Sequence, residues 1–236
     1  IVSSLPLKEI NGQTDVPKII DYACGAGHFL NEYAEQLKRY IEKDKLQEYY
    51  SQIYGIEKEY RLSKVSKVSA FMYGQDNINI VYADALDKNE LIKDNSYSVI
   101  IANPPYSVKG FLETLSENQR KKYILSNEVD NLDKNNSIEL FFIERAKQLL
   151  KSEGVAGIIV PSSILSNGNI YSKARKILIE NFSIIAIVEF GSKTFGSTGT
   201  NTITLFLKKK KYPPKESDNY KYSVERWFAN NDVQHI

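Results

Sequence analysis

Short apolar runs bounded by polar or turn residues recur along the chain: "KIIDY", "QIYGIE", "INIVYAD", "YSVIIAN", "VAGIIVP", "SIIAIVEF" and "TNTITLFLKK". Between them the pattern changes period. Apolar residues return every three or four positions over His28–Lys43, Lys58–Tyr73, Ser137–Lys151 and Tyr171–Asn181, which predicts helices. In "SIELFFIERAKQLLKSEG", Ile138, Phe141, Phe142, Ala146, Leu149 and Leu150 share one face, and Gly154 supplies a stop. Strands alternating with helices predict an α/β fold whose mostly parallel sheet of about seven strands is covered on both faces. The last run alternates Thr202, Ile203, Thr204 and Leu205, as expected of a half-exposed strand at or near an antiparallel edge.

With 236 residues the chain is long enough for one large domain. From Lys208 it turns polar through "KKKKYPPKESDN", and Pro213 and Pro214 interrupt regular structure. A folded domain over 1–210 followed by a polar linker or extension over 211–236 is expected. The composition, 42% hydrophobic and 25% charged, is that of a globular protein. No apolar run reaches the length of a membrane span and no secretory signal begins the chain, so a cytoplasmic location is expected. The single cysteine, Cys24, excludes an internal disulfide framework, and with only two histidines a zinc site is disfavoured. A net charge of +2 does not by itself announce a nucleic-acid partner.

The candidate chemistry lies at the ends of the first four apolar runs. In "KIIDYACGAGHFL" a strand ends at Asp21-Tyr22, and a small-residue loop, Ala23 to Gly27, leads into a helix. Such a loop lets backbone N–H groups approach a ligand unobstructed. The dinucleotide fingerprint is not met: Leu30 stands where its third glycine belongs, and the acid that closes the second run comes thirty residues after Gly27 instead of about twenty. Instead Glu57 closes the second run, where a carboxylate could accept two ribose hydroxyl protons, and Asp84 closes the third, where it could accept from an adenine amino group. Cys24 reads as a small packing residue and His28 as a helix-start residue.

The fourth run ends on Asn103-Pro104-Pro105-Tyr106. Proline fixes φ and offers no N–H, so the two prolines hold the segment extended and turn the Asn103 side chain and the Pro104 carbonyl toward the pocket. Two oxygens that accept both protons of an exocyclic NH₂ group draw its lone pair out of conjugation and make it nucleophilic. Tyr106 can stack on the same planar group.

In this order, "DYACGAGHFL", "YGIE", "ADAL" and "NPPY" resemble the S-adenosylmethionine-dependent DNA adenine-N6 methyltransferases of the gamma arrangement, particularly modification subunits of type I restriction systems and related restriction-modification methylases. The resemblance extends over roughly Lys18 to Lys210, through "IELFFIERAKQLLKSEGVAGIIVPSSILS" and "IIAIVEFGSKTFGSTGTNTITLFLKK". It implies a doubly wound, Rossmann-like class I methyltransferase sheet of seven strands, one antiparallel, with 1–210 as the catalytic domain. It implies that Asp21, Ala23, Gly25 and Gly27 line the methionine end of S-adenosyl-L-methionine, Glu57 holds its ribose and Asp84 its adenine. Asn103, Pro104, Pro105 and Tyr106 would meet the target base, with Asn103 also beside the cofactor and Phe195 contacting the flipped base from its other side. Direct methyl transfer to a flipped adenine of double-stranded DNA is the implied reaction.

The sequence also departs from that pattern. The Thr-Pro segment usual before the glycine loop has no match in "IVSSLPLKEINGQTDVP", so it lies upstream or the pocket is incomplete. A target-recognition domain or specificity subunit is expected outside this chain. Three alternatives share the motifs: transfer to ribosomal RNA, transfer to a release-factor glutamine, and a non-catalytic subunit that only binds the cofactor. A dinucleotide oxidoreductase fits least, because of Leu30 and the spacing to Glu57.

Overall fold

The computed structural model describes residues 1–6, 16–190 and 201–212. Phe195 and residues 213–236 of the expected extension lie outside them. Seven strands form one sheet: β1 (Ile19–Asp21), β2 (Ile53–Glu57), β3 (Asn79–Tyr82), β4 (Tyr97–Ala102), β5 (Leu150–Pro161), β6 (Phe182–Phe190) and β7 (Thr202–Lys209). The main helices between them are α1 (His28–Leu37), α2 (Leu46–Tyr50), α3 (Tyr60–Met72), α4 (Glu117–Arg120), α5 (Ile138–Leu149) and α6 (Ile170–Asn181). The order across the sheet is β3-β2-β1-β4-β5-β7-β6. The pairs among β3, β2, β1, β4 and β5 are parallel, and β7 runs antiparallel to both β5 and β6.

Alternation along the central strands divides the core. Ile20, Ile100, Ile158 and Val160 face the α5 and α6 side, where Leu140, Phe141, Ile143 and Leu178 pack. Ile19, Val99 and Ile101 face the other side, against Leu30, Tyr33, Ala34 and Leu37 of α1. Each fully buried large apolar side chain stabilises the fold by roughly 1.5–3 kcal/mol relative to exposure. The strand order reverses between β1 and β4. A crevice therefore opens at the carboxyl ends of those strands, where open α/β sheets hold their ligands.

Local chemistry trims the helices that periodicity predicts. The first stops at Leu37 instead of Lys43, because the apolar spacing lapses through Lys38, Arg39, Tyr40 and the charged run to Lys45. The second starts at Tyr60 because the Glu59 carboxylate caps it, accepting from the N–H groups of Arg61 and Leu62 at 3.0 and 2.7 Å. The third ends at Leu149, where Leu150 opens β5 directly.

The larger correction concerns the last two strands. Thr202 and Thr204 alternate with apolar residues, yet they are 2% and 0% exposed. The place of β7 is as expected, next to an antiparallel edge: it is the penultimate strand and β6 is the edge. It is β6 that is exposed, with Ile185 at 65%. Among the described residues no helix is long and apolar enough to cross a membrane.

Candidate active site

The glycine loop is shaped by its own residues. Asp21 is the last residue of β1 and is buried, and its carboxylate accepts the Ala23 N–H at 3.0 Å, closing a turn. The Cys24 N–H donates to the Ile56 carbonyl on β2, which ties the loop to the next strand. Gly25 and Gly27 have φ of +53° and +85°, a region that favours glycine. At Gly27 a second constraint applies, since a Cβ there would come within 2.4 Å of Ser66 Oγ on α3. The loop can therefore pass α3 only as bare backbone.

Burial sets the electrostatics of Asp21. Removal from water pushes its carboxyl up from 3.8 to about 8, against the lowering effect of the Ala23 hydrogen bond, and the nearby Glu57 adds a smaller upward push. A carboxyl kept protonated under a loop is poised to ionise toward a cation. Cys24 is buried and its thiol is pushed far above its ordinary value, chiefly by burial, as suits a packing residue. His28 is exposed as the first residue of α1.

Glu57 reaches back to the loop. Its Oε2 accepts the Gly25 N–H at 2.9 Å and its Oε1 accepts the Glu59 N–H at 2.6 Å. Asp84, just past β3, accepts the Leu86 N–H on Oδ1 at 2.9 Å and pairs through Oδ2 with Lys58 Nζ at 2.6 Å. Thr114 Oγ1 also approaches Lys58 Nζ, at 3.3 Å. Asn103 follows β4, and its Oδ1 accepts the Tyr106 hydroxyl, which also lies 3.3 Å from the Ile159 carbonyl on β5. Burial raises the Tyr106 phenol well above its ordinary value, with Glu139 contributing, so it remains a hydrogen-bond donor at physiological pH.

One cleft of about 270 Å³ joins these strand ends, lined by Ala23, Glu57, Lys58, Asp84, Asn103 and Pro105 among others. Of the residues singled out in the sequence, Asp21, Gly25, Gly27, Pro104 and Tyr106 stand behind or beside this cleft, not on its wall. Pro104 is buried, whereas Pro105 is exposed. Phe111, Ile138 and Phe142 supply apolar wall that motif reading missed. Ile138 and Phe142 lie one helical turn apart on the apolar face that periodicity marks, and periodicity does not distinguish sheet contact from cleft lining. Gly55 was also missed. A Cβ there would come within 2.7 Å of Leu30 Cδ1 and 2.9 Å of Cys24 Sγ, so this glycine lets α1 and the loop sit against β2.

Comparison with known proteins bears on the family and the fold. A family model described as N-6 DNA Methylase matches residues 2–232. The type I restriction enzyme MpnII methylase subunit of Mycoplasma pneumoniae is 28% identical over 222 residues, covering 88% of this chain and 39% of its own length. The type II restriction enzyme and methyltransferase RM.Eco57I of Escherichia coli is 25% identical, covering 98% of this chain and 29% of its own. The chain thus spans well under half the length of either relative. Among solved structures, the type I restriction-modification methyltransferase subunit from Streptococcus thermophilus superposes with a TM-score of 0.64 at 18% identity, over 96% of this chain and 51% of that one. At that identity the likeness concerns the fold.

Proposed function

This chain belongs to the N-6 DNA methylase family, and on that premise we propose that it transfers the methyl group of S-adenosylmethionine to the N6 amino group of an adenine in DNA. The observation that carries the proposal is the cleft that the glycine-loop residue Ala23, the acids Glu57 and Asp84, and Asn103 with Pro105 line together.

The donor set suits this cofactor. Asp21, with a carboxyl near 8, would ionise toward the cationic methionine end, Glu57 would accept from the ribose hydroxyls and Asp84 from the adenine amino group. When bound, the cofactor supplies an electrophilic sulfonium methyl. The chain's own residues supply orientation. Asn103 Oδ1 and the Pro104 carbonyl would accept the two N6 protons of the target and free its lone pair, and Tyr106 would hold the face of the base. No covalent enzyme intermediate and no metal enters this account.

Double-stranded DNA as partner, a target-recognition element supplied from elsewhere, and service within a restriction-modification system complete the proposal. It is supported by the names of the relatives and by a net charge of only +2, too small for tight unassisted DNA binding. The deciding experiment offers methyl-labelled S-adenosylmethionine to DNA, ribosomal RNA and release factor in parallel. Label in N6-methyladenine of DNA is the expected outcome, and Asn103→Ala should lower it by roughly 10²–10³-fold, the scale for loss of one transition-state hydrogen bond. Label confined to RNA, or to a protein glutamine, would overturn the assignment.

A further inference from the structure

We propose that Glu139 is a positioning residue for methyl transfer: it holds the residue after Tyr106 in a left-handed turn and so fixes the ring that meets the target base. The inference rests on the reading of Asn103–Tyr106 given above. Glu139 lies in the first turn of α5 and is 1% exposed. Its Oε2 accepts the Ser107 N–H at 3.2 Å and its Oε1 accepts the Tyr171 hydroxyl of α6 at 3.0 Å.

Three features distinguish this from an ordinary buried hydrogen bond. Ser107 has φ of +54°, a conformation that L-residues with a side chain adopt only when the surroundings impose it. Pro104 and Pro105 have no N–H, so the fold cannot grip the motif by its own backbone donors until Tyr106 and Ser107. Among the described residues, finally, the partners of Glu139 are neutral donors, and no ion pair accounts for its burial there. The α5 N-terminus favours a carboxylate in the first turn. A buried acceptor is costly unless it is used, and here it is used on the turn that follows the motif.

The alternative is that Glu139 merely ties α5 to α6 through Tyr171. Variants separate the two. Glutamine retains both bonds, since its carbonyl accepts the Ser107 N–H and its amide donates to the Tyr171 oxygen. Leucine retains the bulk and neither bond. Glycine at 107 adopts the turn without help.

Hydrogen exchange of residues 106–110 reads the clamp without any substrate. In the wild type the Ser107 amide should exchange slowly although its side chain is exposed; in Glu139→Leu it should exchange at least about tenfold faster, and in Glu139→Gln little changed. For methyl transfer, kcat should fall roughly 100-fold in Glu139→Leu with cofactor affinity kept within about twofold, remain within about threefold in Glu139→Gln, and recover at least about tenfold in Glu139→Leu/Ser107→Gly. Unprotected exchange at Ser107 in the wild type overturns the proposal, even if the leucine variant does not fold. So does a glutamine variant as impaired as the leucine one, or the absence of rescue by Ser107→Gly. If the wild type transfers no methyl to DNA, the functional reading fails while the exchange result still decides the clamp.

Discussion

Asp21→Asn tests the electrostatics of the glycine loop directly. The Asp21 carboxyl stands near 8 in the fold against 3.8 in its ordinary state, chiefly because it is buried. A carboxyl raised on folding binds a proton more tightly in the native state than in the unfolded one. Its stabilising contribution is therefore complete below pH 3.8, declines as pH rises, and is gone above pH 8. At 1.36 kcal/mol per pH unit, the loss between those limits is about 6 kcal/mol, of which about 4 has occurred by pH 7. Against a typical net stability of about 5–15 kcal/mol, this is a large effect. Asparagine has the same shape and no charge, so the variant should match the wild type at pH 4 and exceed it by several kcal/mol at pH 9. Urea unfolding across that range measures the difference directly. Glu144 is also raised by burial, but it is present in both proteins and cancels.

The same group gives the test a functional arm. If Asp21 ionises toward the cationic end of S-adenosylmethionine, binding at pH 7 releases about 0.9 proton, and affinity falls about tenfold per unit below pH 8. Calorimetry in two buffers of different ionisation enthalpy counts the protons. In Asp21→Asn the release should vanish, and affinity at pH 9 should drop while stability rises. Equal pH dependence of stability in the two proteins would refute the reasoning.

Other substitutions test other parts of the site. Gly27→Ala combines φ of +85° with a Cβ 2.4 Å from Ser66 Oγ, and should lower stability by about 1–3 kcal/mol in thermal unfolding, with Ser66→Ala restoring only the steric part. Gly55→Ala would press on Leu30, Cys24 and Ile80 and should cost about 1–3 kcal/mol, read as a fall in Tm. Asp84→Ala should weaken cofactor binding by roughly 10–100-fold with little change in kcat at saturation, since it removes an acceptor remote from the reacting atoms. A kcat loss equal to that of Asn103→Ala would contradict that placement.

The strand-end positions of Asp21, Glu57, Asp84 and Asn103 were legible because each needs only two local signals, an apolar run and the residue that ends it. Periodicity reports which face of a segment is buried. It does not report what lies over the opposite face, so the alternation of Thr202 and Thr204 with apolar residues suggested half-exposure, whereas both are buried. The bonds that complete the site are also long-range in sequence: Gly25 with Glu57, Lys58 with Asp84, Ser107 with Glu139. No local pattern encodes them. Glu139 in particular sits in the helix "SIELFFIERA" as a polar residue among apolar ones, and only its burial and its partners mark it.

The internal bonds of the site bear on how it would select a ligand. Glu57 already accepts from Gly25 and Glu59, Asp84 from Leu86 and Lys58, and Asn103 from Tyr106. Binding would therefore exchange hydrogen bonds more than add them, and the net gain per exchange is modest, about 0.5–1.5 kcal/mol. A ligand lacking one of the replacing donors would still have to disturb an internal bond and would receive nothing in return. Under the proposed function this favours discrimination over raw affinity: an amino group can take the place of the Tyr106 hydroxyl on Asn103 Oδ1, whereas a carbonyl at the same position would face that oxygen without a proton between them.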